Sequence, residues 1–182
     1  MSILKQLGVR LPIIQAPMAG VSTPQMAAAV SNAGGLGSIG IGSSDVDAAQ
    51  QAIRRVRELT DKPFNVNVFV HRPAKIDAAR CGAWIEHLRP TFESFGTAAP
   101  RSLREIYKTF DGHVAMLNVL LETRPPVVSF HFGLPSVYAI DKLHDAGIML
   151  FSSVTSLEEA CMAERAGMDC LVVSYVIVHT HT

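Results

Sequence analysis

The chain has 182 residues, 48% hydrophobic and 18% charged, with 16 basic and 16 acidic side chains. That length and apolar content support one domain with a real core, and zero formal charge leaves no electrostatic footprint for nucleic acid or an anionic membrane. No apolar run approaches the roughly 20 residues that cross a bilayer, and MSILKQLGVRLP lacks a signal peptide's long apolar stretch and small-residue cleavage site.

The first predicted strand, residues 12–16, lies in PIIQAPMAG and ends on small residues and a lone methionine. Small side chains at a strand end let something approach the backbone closely, and that something need not be protein. Thr23-Pro24 then supplies an N-cap and a first-turn proline for a helix through QMAAAVSNA. Gly34 closes this helix, and the same alanine–glycine pair closes later amphipathic stretches at Gly147 and Gly167. A continuous apolar run follows each glycine, as a buried parallel strand requires, giving strands at 36–40, 148–152 and 169–174. Val46, Ala49, Ile53 and Val56 repeat at helical spacing between Asp45 and Leu59. Strands at 64–69 and 126–130 bring the expected total to six. The long connection from Val70 to Pro125 is expected to hold two helices, around 77–88 and 101–121. Ser156-Leu-Glu-Glu159 fits a capping box that opens a helix reaching Ala166.

Helix, glycine, strand, repeated, is the βαβ grammar of a parallel α/β domain. Charges are spread evenly and no segment is low-complexity, so 1–182 reads as a single domain. A doubly wound sheet and a (β/α)8 barrel both use this grammar, and both put chemistry at the carboxyl ends of strands. A barrel usually takes about 250 residues, with about 200 at the lower end. The pattern by itself leaves the two open.

GGLGSIG contains a literal G-x-G-x-x-G at Gly35, Gly37 and Gly40. A dinucleotide site needs strand, then glycines, then helix, so that the pyrophosphate meets a helix N-terminus. Here the order is reversed, and a helix cap running into a close-packed strand is the better reading. PVVSFHFGLP carries His131 at the carboxyl end of an apolar strand, followed by Gly133 for the turn. A histidine there faces the ligand side of such folds, and its ordinary pKa of about 6.5 suits proton transfer. A half-buried histidine donating to a carbonyl is the competing reading. In PFNVNVFVH, Asn65 and Asn67 interrupt a buried strand, which is costly unless their amides are bonded. Asn67, nearer the carboxyl end, can present donor and acceptor to a ligand or bond to a neighbouring strand. Met18 suits ligand contact and plain core filling equally. His71, His87, His113 and His144 sit among charged neighbours and read as solvated. His179 and His181 form a pair without a third ligand, so no metal site is expected. Cys81, Cys161 and Cys170 have no metal-ligand or redox spacing, as expected of reduced thiols in the cytoplasm.

PIIQAPMAGVSTPQMAAAVSNAGGLGSIG closely resembles the amino-terminal signature of nitronate monooxygenases, formerly 2-nitropropane dioxygenases. FNVNVF, VSFHFGLP and VTSLEEACMAERAGMDCLVV resemble that family's later motifs in the same order, so the match runs from about Leu4 to Val173. The resemblance implies a TIM-type (β/α)8 barrel holding FMN non-covalently at its carboxyl-terminal face, incomplete here at about six parallel strands. It implies a flavoprotein oxidoreductase that oxidises alkyl nitronates with dioxygen to a carbonyl compound and nitrite. Ala16, Pro17 and Met18 would bed the flavin ring, Asn67 would reach its polar edge, and His131 would sit beside it as the catalytic residue. A flavin-dependent enoyl or NADH:quinone reductase of the same barrel superfamily, and an inactive remnant, are the alternatives.

The family pattern continues with a glycine-rich segment resembling GxEAGGHxG and two more strands. Here Val173 is followed by SYVIVHTHT, which resembles an early stop or a shifted reading frame. VVSYVIVHTH is β-branched and free of proline, the composition of an aggregation-prone segment. The 182-residue chain is therefore expected to hold FMN weakly and to be flavin-free or insoluble when made alone.

Overall fold

A computed structural model describes residues 3–174. They form two compact units, one running to His71 and resuming at Thr109, the other Arg72–Lys108. Residues 175–181 of the segment expected to be aggregation-prone, His179 and His181 among them, lie outside the described residues.

The first unit is built on a five-stranded sheet: β1 Gly37–Gly40, β2 Phe64–Phe69, β3 Val127–His131, β4 Met149–Val154 and β5 Cys170–Val173. All neighbours are parallel and the spatial order equals the chain order. A sheet that never reverses its winding is the arc of a (β/α)8 barrel, not a doubly wound sheet with a switch point. Its helices are α1 Ile3–Gln6, α2 Pro24–Ala33, α3 Val46–Leu59, α5 Val114–Thr123, α6 Val137–Asp145 and α7 Leu157–Arg165, while α4 Ala78–Ser94 belongs to the second unit.

Local punctuation sets the helix ends. Thr23 accepts from the Met26 N–H (3.1 Å) and Asp45 from the Ala48 N–H (2.8 Å), each satisfying an orphan donor of the first turn. Gly34, Gly147 and Gly167 follow their helices at φ of 103°, 76° and 87°, the left-handed cap expected of them. Ser156 caps Glu159 as foreseen, but the Glu159 carboxylate turns back to Thr155, accepting its N–H (2.6 Å) and hydroxyl (2.9 Å).

Period-two alternation splits the strands into two faces. Ile39, Val66, Val68, Val128, Phe130, Leu150 and Val154 point to the helices and form the main core with Ala49, Ile53, Leu120 and Leu143. The opposite, inner face is apolar at the amino ends of the strands: Leu36, Val127 and Phe151 pack with Val9 and with Ile3, Leu4 and Leu7 in and beside α1. Further along the strands the same face turns polar, with Ser38, Asn65, Asn67 and Ser129 all buried. The apolar plug at one end leaves the carboxyl end as the place for chemistry.

Two expectations are corrected. Residues 12–16 are not a strand: only Ile14 bridges Leu36. The backbone ladder opens normally, with Leu36 N–H donating to Ile13 C=O and Gln15 N–H to Leu36 C=O, both at 2.9 Å. The next donor in the register would be Pro17, which has no N–H. The Gln15 side chain replaces it, its Oε1 accepting from the Ser38 N–H (3.3 Å) and its Nε2 donating to the Ser38 C=O (3.1 Å). The amide thus extends by one residue a ladder that the proline interrupts. Ser38 is fully buried, so Gln15→Ala is expected to cost about 1–3 kcal/mol for the stranded peptide groups, read as a lower urea midpoint. An unshifted midpoint would deny the amide that role.

The second correction concerns residues 101–121. Helix α5 begins only at Val114. Phe110 is tied instead to the end of β2, donating its N–H to the Phe69 C=O (2.8 Å) with its ring 5.9 Å from that of Phe130. Gly112 turns the chain at φ 77°, and His113 Nδ1 then caps α5 by accepting from the Met116 N–H (3.2 Å). In the second unit α4 runs past the expected 88 to Ser94, through Pro90, from an Asp77 cap. No helix among the described residues is long and apolar enough to cross a membrane.

Candidate active site

Strand register assembles the site on the inner face at the carboxyl ends. Gly40 is paired with Asn67 and Asn67 with Ser129. Two residues further up, Phe69 pairs with His131, and Ser153 of β4 lies against His131.

The 16–18 loop meets this row at Gly40. A Cβ there would stand 2.9 Å from the Pro17 carbonyl oxygen, so only glycine lets the loop turn in so closely. The loop is held by its own hydroxyl: Ser22 Oγ accepts from the Met18 N–H (3.0 Å) and donates to the Ala16 C=O (2.9 Å). Ala16 and Met18 remain exposed, with Met18 at 47%. Ala16, Pro17 and Met18 thus lie on a turn whose Pro17 carbonyl packs against Gly40, the strand partner of Asn67. Met18 is surface there, not core filler.

Asn67 is fully buried, and its Nδ2 donates to the Ser129 C=O (3.1 Å) and Oγ (3.0 Å). Among the described residues its Oδ1 has no partner, so the inter-strand bond and a ligand role are compatible. An unsatisfied buried acceptor costs about 1–3 kcal/mol, and a ring N–H donor would remove that cost. The Asn65 Oδ1 is likewise unpartnered, its Nδ2 donating to Ser38 Oγ (3.2 Å). A buried acceptor without a partner among the described residues fits a flat heterocycle with an N–H edge, as FMN has.

His131 is half-buried at the end of β3. Its ring lies 6.5 Å from that of Phe69 and 5.8 Å from that of Phe132. Nδ1 is 2.5 Å from Ser153 Oγ, which in turn donates to the Phe130 C=O (3.2 Å). Burial holds the imidazole's pKa below its ordinary value, favouring the neutral form. The following turn is strained. Phe132 takes φ 71°, rare for a bulky side chain, and a Cβ on Gly133 would meet the Val70 carbonyl oxygen at 2.7 Å. Such strain persists where surrounding structure enforces it, commonly at functional sites.

The other histidines divide differently from expectation. His87 is exposed and stacks on Trp84 at 5.3 Å, but His113 is a helix cap and His144 Nε2 lies 3.2 Å from Asp169 Oδ2. Among the described residues no group of three or more His, Cys, Asp or Glu side chains could hold a metal ion. Gln15 stands out in the sequence only as a polar residue between Ile14 and Ala16, and Ser153 does not stand out there. For Ser153 the available signal was the polar pair Ser152-Ser153 inside the apolar run of β4.

The family model described as nitronate monooxygenase matches residues 2–175. A nitronate monooxygenase of Paraburkholderia phytofirmans is 55% identical over 171 residues, 94% of this chain and 47% of that one. One from Pseudomonas aeruginosa is 52% identical over 166 residues, 91% of this chain and 47% of that one. Among solved structures, a nitroalkane oxidase from Streptomyces ansochromogenes superposes with a TM-score of 0.80 at 40% identity, covering 94% of this chain and 48% of that one. FabK from Thermotoga maritima is more distant, at 0.67 and 31%, covering 94% and 42%. The chain spans about half the length of the curated relatives it matches. With five parallel strands in barrel order and a family match along nearly its whole length, the chain belongs to the nitronate monooxygenase family.

Proposed function

We propose that the protein oxidises alkyl nitronates with dioxygen to a carbonyl compound and nitrite, with FMN as its cofactor. The observation that carries the reading is His131, a half-buried imidazole whose pKa burial lowers, held beside Ser153, on the same inner face as the Asn67 Oδ1, which has no hydrogen-bond partner among the described residues. In this reading Ala16, Pro17 and Met18 bed the ring and Asn67 accepts from its N–H edge. When bound, FMN supplies the electron acceptance that no protein side chain offers. His131 acts on the substrate in one of two ways. With a neutral nitroalkane it removes the α-proton, the C–H electron pair becoming the C=N bond of the nitronate. With a preformed nitronate no proton is removed, and the ring donates to the anionic oxygens only in its protonated form, through Nε2–H. The Phe69 and Phe132 rings flank the imidazole. Three cysteines without disulfides fit a cytoplasmic setting, which is part of the same proposal.

In protein carrying the carboxyl-terminal half that the relatives have, flavin absorbance, then oxygen uptake and nitrite release with a nitronate, test the reading. Consumption of NADH without nitrite would favour a reductase instead. Within it, Asn67→Leu is expected to weaken FMN binding by the cost of one buried hydrogen bond, about 1–3 kcal/mol, or roughly 5- to 150-fold in Kd. Fluorescence titration with FMN measures this, and an unchanged Kd would remove Asn67 from the cofactor site.

A further inference from the structure

We infer that Ser153 is the positioning residue of His131: it fixes the imidazole as the Nδ1–H tautomer and leaves the Nε2 lone pair for the substrate. The inference deepens the proposed reaction and rests on it for the substrate's identity, but its geometric part stands on β3 and β4 alone.

Three groups meet at the end of these strands: His131 Nδ1, Ser153 Oγ and the Phe130 C=O. A serine hydroxyl has one proton, and a carbonyl can only accept. If Ser153 gave its proton to Nδ1, the Phe130 carbonyl would lose this donor. If Nδ1–H donates to Ser153, the hydroxyl proton passes to the carbonyl and all three groups are satisfied in one direction. Among the described residues no partner is found for Nε2. The register makes this possible: Phe130 pairs with Ser152, so the next residues, His131 and Ser153, carry inward-facing side chains on adjacent strands. The second ring nitrogen of a histidine commonly sets what the first can do.

The consequence is directional. A proton from a nitroalkane α-carbon goes to Nε2, the C–H pair forming the nitronate C=N bond, while Nδ1–H keeps its bond to Ser153. The wrong tautomer would present N–H where a lone pair is needed, a fault that orienting partners of catalytic histidines are known to prevent.

The test uses protein labelled with 15N in its histidines, at about two pH units above the ordinary histidine value of ~6.5, where the ring is neutral. Loss of a signal set in His131→Asn identifies the residue. The expected spectrum shows a protonated Nδ1 and an unprotonated Nε2. Ser153→Ala should release the ring into a mixture of tautomers, and Ser153→Thr, which keeps the hydroxyl, should restore the single form. In flavin-loaded protein, Ser153→Ala should lower kcat for neutral nitroalkanes by about 10–100-fold, the size that outer partners of histidine carry in metal sites, with preformed nitronates much less affected. A wild-type ring protonated on Nε2 overturns the inference, as does a tautomer unaltered in Ser153→Ala. The wild-type spectrum decides the point even if the alanine variant does not fold. A Ser153-dependent tautomer without any substrate-dependent loss would uphold the positioning role and refute the proton-transfer reading of the active site.

Discussion

Replacing His131 with asparagine, in FMN-loaded protein extended by its relatives' carboxyl-terminal half, should lower turnover of neutral nitroalkanes by about 10²–10⁴-fold, the usual contribution of a positioned acid or base. FMN content should change little, because the cofactor contacts proposed for this chain are at 16–18 and Asn67. Asparagine keeps a hydrogen-bonding head of similar reach and loses only the titrating nitrogen. Preformed nitronates have already shed the proton, so their loss should be much smaller. Equal small losses on both substrates would demote His131 to a structural residue. The pH dependence carries its own sign. Burial lowers the folded-state pKa, so above about 6.5 the ring is neutral folded or unfolded and costs nothing. As pH falls below that value the unfolded chain takes up a proton that the folded chain resists, and stability is lost until the folded pKa is passed. Wild type should therefore lose stability relative to His131→Asn as pH is lowered through this range. A difference independent of pH would mean that the ring is not buried in the way described.

Gly37→Ala should be the most destabilising small substitution in the sheet. A Cβ at this position would stand 1.9 Å from the Ala27 carbonyl oxygen and 2.5 Å from its carbon, both backbone atoms of α2. No rotamer change relieves such a contact, so helix and strand must separate. Overpacking typically costs about 1–3 kcal/mol, and a clash with two backbones belongs at or above the upper end. Separation would also break the Ser31 link, in which the hydroxyl accepts from the Gly37 N–H (3.1 Å) and donates to the Pro63 C=O (2.8 Å). Because β1 carries Gly40, the bed at 16–18 would move with it. Gly82→Ala is the control: a Cβ there meets nothing within 4 Å, and alanine in a helix interior should gain about 0.5–1 kcal/mol. Urea unfolding of both variants measures the contrast, and a Gly37→Ala midpoint near wild type would contradict the close packing of α2 on β1.

Helix punctuation was legible in the sequence because it is local. Thr23 and Ser156 cap within three residues, and a glycine past a helix needs no tertiary partner to take its conformation. The buried strands were legible because helices cover their outer face, which makes them near-continuous apolar runs. Asn67 and His131 stood out for the matching reason, as polar residues in or ending such runs. The family resemblance, drawn from whole motifs, supplied the barrel that spacing left undecided.

Tertiary structure decided what depends on partners far away in sequence. Whether 12–16 continues as a strand turns on Pro17 meeting Ser38, and on a Gln15 side chain able to replace the missing donor. Residues 101–113 are not helical, and Phe110 is held at the end of β2. Ser153 gains its role only from the register of β4 against β3, which brings it to His131 from 22 residues away. A one-residue slip would turn that hydroxyl to the opposite face of the sheet, since side chains alternate along a strand. The sequence alone determined which residues could do chemistry; the sheet register decided which of them meet, because only pairing between strands brings side chains so distant in sequence into contact.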